Sequence, residues 1–217
     1  SKGISHFFSV CFKGGIFGIR ALVGMMRLKR VKQKQSLGRP IMFLSVPADF
    51  RGVKGKEKHD IFLDPIYREI SERSVMVERA TLSKWDFHSL LYRKDVVFFD
   101  WFMLLALLKL SLRLLKAPEV KGWHLLRNKC QGIDFAGISS EQLLTMIKSV
   151  IDRFSRKAIV QVEASRMLLR RLSPKVIVEI CSYDSAPMAV NLVARSEGTP
   201  IVELQHGIIS KSHIGYT

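Results

Sequence analysis

Short, continuous apolar runs closed by polar or glycine-bearing turns recur along this chain, alternating with stretches of helical periodicity. Ile41 to Val46 is the first run, stopped by Pro47 and read as a strand. Val75 to Val77 and Val96 to Phe99 make the second and third strands. Val176 to Ile180, apolar apart from Glu179, makes the fourth and Ile201 to Leu204 the fifth. Between them the period changes to that of a helix. Asp64-Pro65 opens a short helix through Ile70, with Asp64 as N-cap and proline at the first helical position. Another helix follows Asp100 to about Lys116, where Pro118 stops it. Ser139 with Gln142 forms a capping box and Ile138 with Leu143 a hydrophobic staple, two signals for one helix start. The apolar stripe Leu143, Leu144, Ile147, Val150, Ile151 and Phe154 continues that helix, which extends as far as Leu172 before Ser173-Pro174. Asp184 to Glu197 is the last helix, with Gly198 as its stop. Arg51 to Asp60, charged and glycine-bearing, reads as a mobile loop.

Strand, helix and strand in the last forty or so residues make a βαβ unit, which requires a parallel sheet. The fold class is therefore α/β. Gln33 to Pro40 is polar and punctuated by Gly and Pro, so it divides a basic amphipathic segment, residues 1–39, from an α/β domain, residues 40–217.

Composition and charge narrow the functions. An apolar fraction of 47% supplies a core, and a formal charge of +16 (35 Lys and Arg against 19 Asp and Glu) attracts nucleic acid, anionic lipid or phosphate-bearing small molecules. No acidic residue precedes Asp49, whereas Lys13, Arg20, Arg27, Lys29 and Arg30 lie among Phe12, Ile16, Phe17, Leu22, Met25 and Met26. Two readings fit that opening equally: a helix lying on an anionic leaflet, or a basic helix packed on its own domain. It is not a signal peptide, because charges interrupt the apolar run and no small-residue cleavage site follows. Val96 to Leu115 approaches the length of a bilayer span, but Asp100, Lys109 and Arg113 within it favour a buried or surface-seated helix. Cys11, Cys130 and Cys181 lack metal-ligand spacing, which suits a reduced, cytoplasmic protein.

Chemistry gathers where strands end. Asp49 and Arg51 follow the first strand, Glu78 and Arg79 the second, and Asp100 the third. Ser182, Tyr183 and Asp184 follow the fourth, and Gln205, His206 and Gly207 the fifth. In a parallel sheet these positions converge on one rim, where helix N-termini also point. His206 suits a base, an acid or a hydrogen-bond donor to a phosphate near neutral pH, with strand capping as its plain alternative. Gly207 lets a ligand approach the backbone. Asp184 is first an N-cap, though one carboxylate can cap a helix and still face a crevice. His213 and Tyr216 extend the last loop beside Lys211 and Ser212, which suggest exposure. Glu179 and Glu203 lie within strands and must find partners or raise their pKa, and a structural pairing is the expected fate. Lys13 to Gly18 lacks the ending of a phosphate loop. Trp85, Phe87 and Tyr92 beside Lys84, Arg93 and Lys94 read as packing residues rather than a nucleic-acid platform.

The combination V-I-V-E-I-C-S-Y-D at 176–184, a helix, and T-P-I-V-E-L-Q-H-G-I-I-S-x-x-H-I-G-Y at 199–216 resembles the acceptor-side domain of bacterial GT-B glycosyltransferases. Those enzymes build surface polysaccharide such as capsule or lipopolysaccharide. The histidine-glycine turn is also similar to that of glycerol-phosphate polymerases. F-L-D-P-I-Y-R-E-I at 62–70 and V-V-F-F-D at 96–100 add support. The resemblance implies a Rossmann-like parallel sheet flanked by helices, one half of a GT-B architecture whose C-terminal donor domain is missing. It implies sugar transfer from a nucleotide-sugar substrate to a lipid-linked or growing glycan, with no metal or other cofactor. His206 and Asp184 would be catalytic; Gln205, Gly207, Tyr183, Ser182, His213, Asp49 and Arg79 would bind substrate. The protein would sit peripherally on the inner membrane through its basic N-terminal segment. The alternatives are a non-catalytic, basic, membrane-docked binding domain and a glycerol-phosphate transferase.

Overall fold

The computed structural model describes residues 14–28, 31, 40–45, 51–54, 57–60, 62–79, 90, 93, 96–114, 123–132, 137–180 and 184–204, with backbone alone at 51–54, 57–59 and 112–114. Five strands form one sheet: β1 (Ile41–Ser45), β4 (Ser74–Glu78), β5 (Val96–Phe98), β6 (Val176–Glu179) and β7 (Ile201–Glu203). Their spatial order is β5-β4-β1-β6-β7, and every neighbouring pair is parallel. The sheet and its flanking helices confirm the α/β, Rossmann-like expectation, strand by strand and within one residue at most ends.

The loop expected at 51–60 is instead an antiparallel hairpin, β2 (Arg51–Lys54) with β3 (Glu57–Asp60). Its residues are mainly charged and carry no apolar alternation, so the pairing left no hydrophobic signature to read.

Side chains on successive strand positions face opposite ways, and they build two cores. Met42, Leu44, Val75, Val77, Val97 and Ile177 share one cluster. It is closed by α3 (Asp100–Leu114), the second half of α5 (Ser140–Leu172) and α6 (Ser185–Ser196). Phe43, Met76, Val96 and Phe98 face the other way, onto Leu63 and Tyr67 of α2 (Leu63–Glu69). Both faces of the central strands are thus buried, which is why they are apolar without alternation. A one-turn 3-10 helix, Ser71–Arg73, joins α2 to β4, and α4 (Trp123–Cys130) packs beside α5.

Two helix starts depart from or match expectation for clear reasons. Asp64 does not cap α2. The carboxylate of Asp60, which ends β3, accepts the N–H groups of Phe62 and Leu63 at 3.0 Å each, so the helix begins two residues earlier. Asp64 instead pairs with Arg93. At α5 the capping box is complete, with the Gln142 N–H donating to Ser139 and the Ser139 N–H donating to Gln142. This helix is about 50 Å long at 1.5 Å per residue, yet its buried residues run only from Val160 to Leu172.

A helix at residues 14–28, α1, lies along the outer edge of β5. Arg20 and Arg27 stack over the Phe98 ring at 4.0 and 4.6 Å. Arg27 also donates to the carbonyl oxygens of Leu90, Arg93 and Val96. A side chain at Gly24 would start 3.1 Å from the Phe98 carbonyl oxygen, so glycine allows this close approach. One side of α1 packs on its own domain, as the second reading of the basic opening expects, and the other side is exposed. Among the described residues, no helix is long and apolar enough to cross a membrane.

Candidate functional site

In the sheet, the chain moves outward from β1 through β4 to β5, then returns to the other side of β1 for β6 and β7. The connections leaving β1 and β6 therefore run in opposite directions, which makes their carboxyl ends the topological switch point, where open α/β sheets generally form a ligand-binding crevice. The parallel registers align Ser45 with Glu78 and, one residue before that level, Leu44 with Glu179 and Glu203.

Most of these rim charges are already spoken for by the fold. Ser45 donates to Asp60 at 2.9 Å, tying the end of β1 to the end of β3. Glu78 and Asp100 share Arg20 of α1: Nη1 reaches Glu78 at 3.3 Å, while Nε and Nη2 hold Asp100 at 3.1 and 3.3 Å. All three are essentially without solvent exposure. Glu78 and Asp100 thus anchor α1 rather than line the crevice, and their rim position in the sequence did not reveal that.

Arg79 and Asp184 behave differently. Arg79 follows β4 directly and Asp184 precedes α6, yet their side chains form an ion pair. Since β1 lies between β4 and β6, the pair bridges about 10 Å of sheet across the end of β1. Asp184 is also the N-cap of α6, accepting the Ser185 N–H at 2.6 Å. Burial raises its pKa, but attraction and hydrogen bonding from Arg79, the Ser185 N–H and the charge of Lys157 together hold it below the usual value. A carboxylate so stabilised is a weak base and a good orienting group. Arg79 is largely buried, and among the described residues its Nε has no hydrogen-bond partner. Gln161 of α5 donates to the Ser185 hydroxyl at 3.2 Å, leaving its own Oε1 similarly unpaired.

Glu179, the last residue of β6, is buried and accepts from Asn191 of α6 at 2.6 Å. Its pKa is raised, chiefly by burial and further by Glu203, against the opposing Asn191 hydrogen bond. The structural pairing expected for it is what the fold contains. An open groove of about 850 Å³, lined by Ser139, Gln142, Thr145 and Met146 among others, lies at the start of α5. It is about 20 Å along the helix from Gln161 and belongs to the cap, not to the crevice.

Of the residues singled out in the sequence, the structure brings together Arg79 and Asp184. Asp49, Ser182, Tyr183, Gln205, His206, Gly207 and His213 lie outside the described residues, as do Trp85, Phe87 and Tyr92. Sequence reasoning missed Arg20 as an anchor; its signal was the seven-residue spacing to Arg27, which puts both on one helix face. No protein-family model matches the chain, and neither a curated protein nor a solved structure matches it.

Proposed function

We propose that this chain is the acceptor-binding domain of a glycosyltransferase of GT-B type, acting on a lipid-linked or growing surface glycan at the inner face of the membrane. The observation that carries the reading is the Arg79–Asp184 pair bridging the end of β1 at the sheet's switch point, beside the N-terminus of α6. The Q-H-G turn follows the next strand of that same edge in sequence.

In the proposed reaction an acceptor hydroxyl oxygen bonds to the anomeric carbon of a nucleotide sugar. The bond from that carbon to the diphosphate oxygen breaks, and the nucleoside diphosphate leaves with the bonding electrons. His206 takes the hydroxyl proton, a role worth about a hundred- to ten-thousandfold in rate. Asp184 stays ionised and orients either the imidazole or a sugar hydroxyl. Arg79 offers its buried Nε–H to a phosphate or carboxylate of the acceptor. Gln205, Gly207, Ser182, Tyr183, His213 and Asp49 would line the same crevice, and the donor would be held by a second domain. Holding both substrates in line supplies much of the remaining rate.

Ligand-observed NMR tests this with short phosphorylated glycans, nucleotide sugars and single-stranded DNA, comparing wild type with His206→Ala. Glycan binding that weakens at least about tenfold in the variant is the expected outcome. DNA binding indifferent to the substitution, with no glycan signal, would leave a basic binding module instead.

A further inference from the structure

α1 buries Ile16, Ala21 and Leu28, and with them Arg20, while its exposed side is apolar too, a departure from an ordinary surface helix. Such a helix turns its apolar stripe to the core and its charges to water. In α1 the two arginines point inward: Arg20 is buried against Glu78 and Asp100, and Arg27 is seated on backbone carbonyl oxygens and the Phe98 ring. The outward side holds Ile19, Leu22, Met25 and Met26, exposed to 48%, 54%, 39% and 56%. At 100° per residue these four fall on one face with Gly15 and Gly18, and that face has no polar side chain.

We propose that this outward face of α1 is the surface by which the protein lies on an anionic bilayer. The inference rests on the part of the proposed function that seats the protein at a lipid surface, and it names the face that does so.

Charge decides the occupant. No acidic residue occurs among the first forty positions; Arg20 is taken up by Glu78 and Asp100, while Lys29, Arg30, Lys32 and Lys34 follow the helix directly in sequence. A second copy would bring an identical basic segment and another +16 charge to the same contact, so self-pairing works against electrostatic repulsion. Anionic headgroups supply the opposite sign over a broad plane. The face itself has no hydrogen-bonding side chain with which to specify a polar protein partner. An apolar strip followed in sequence by a run of basic residues suits the two zones of a leaflet surface, acyl boundary and headgroup. Among the described residues no helix is long and apolar enough to cross a membrane, and the proposed contact is one face of α1 lying along it.

The test is co-sedimentation of the whole chain with phosphatidylcholine vesicles, with and without about one-third phosphatidylglycerol. Leu22→Glu/Met26→Glu changes two outward residues one turn apart. Met188→Glu/Leu192→Glu changes an equally exposed pair on α6, at 57% and 61%, and controls for the charge alone. Wild type and the α6 variant are expected to bind anionic vesicles alike. The α1 variant is expected to bind at least about tenfold less, with an unchanged melting curve because neither side chain is buried. Undiminished binding by the α1 variant, or an equal loss in the α6 variant, overturns the assignment of the face. A wild type that sediments with no vesicle also overturns it. If that wild type is a dimer which the α1 substitutions dissociate, the face belongs to a second copy. Loss of glycan binding in wild type would sink the glycosyltransferase reading while leaving this one intact.

Discussion

Glu179 and Asn191 hold complementary unmet needs. Asn191 Nδ2 donates to Glu179 Oε1, but Glu179 Oε2 and Asn191 Oδ1 are both buried with no partner among the described residues. A proton on Glu179 turns Oε2 into the donor that Oδ1 lacks, consistent with a carboxyl pKa raised first by burial. Because the folded value lies above the unfolded one, the benefit is complete below the unfolded pKa. It is lost as pH rises through the folded value. Glu179→Gln carries the donor permanently. Urea unfolding should show the variant more stable than wild type at pH 7, with the difference vanishing near pH 4. Equal stability at neutral pH would mean the carboxylate is satisfied there. Asp184 has the opposite sign: its folded pKa is depressed, so its contribution exists above the unfolded value and fades as pH falls through the folded one. Asp184→Asn, which keeps a capping oxygen but loses the charge, should therefore lower the urea midpoint at pH 7 by an amount that shrinks on acidification below the usual carboxylate range. A loss that does not shrink on acidification would show that the ion pair does not carry the effect.

Among the elements, α1 changes the picture most. Arg20 sits between two carboxylates that end neighbouring parts of the sheet, and removing it leaves them without their shared cation. Breaking a buried ion pair from one side typically costs about 3–5 kcal/mol. Arg20→Met should lower stability by that order in chemical denaturation and release α1 from the β5 edge; a change under about 1 kcal/mol would show that α1 is held by its apolar contacts alone. The five sheet strands were legible because two-sided burial demands uninterrupted Val, Ile, Phe and Met, and the long helix because its cap and stripe are both local. The hairpin was not, since its pairing rests on backbone bonds among charged residues. Nor was the capping of α2 by Asp60, which depends on where β3 ends rather than on a residue adjacent to the helix.

At the scale of the whole molecule, strand order does what no single residue could. It places the ends of β4 and β6 on either side of β1, so that two residues 105 positions apart in sequence meet as Arg79 and Asp184. The rim was readable in the sequence because any parallel sheet gathers its strand ends. Which rim charges are spoken for was not readable, because Arg20 reaches Glu78 and Asp100 from a segment that looked separate. That sorting leaves Arg79 with a buried N–H that has no partner among the described residues, the group proposed to take an anionic glycan acceptor. The most direct measurement is a two-dimensional NMR titration of the isotope-labelled chain with a phosphorylated glycan, following the Arg79 Nε–H and the Ser185 amide. Saturable shifts at both, absent in Arg79→Met, are the predicted result. Shifts confined to α1 or to the start of α5, with Arg79 and Ser185 unmoved, would contradict it.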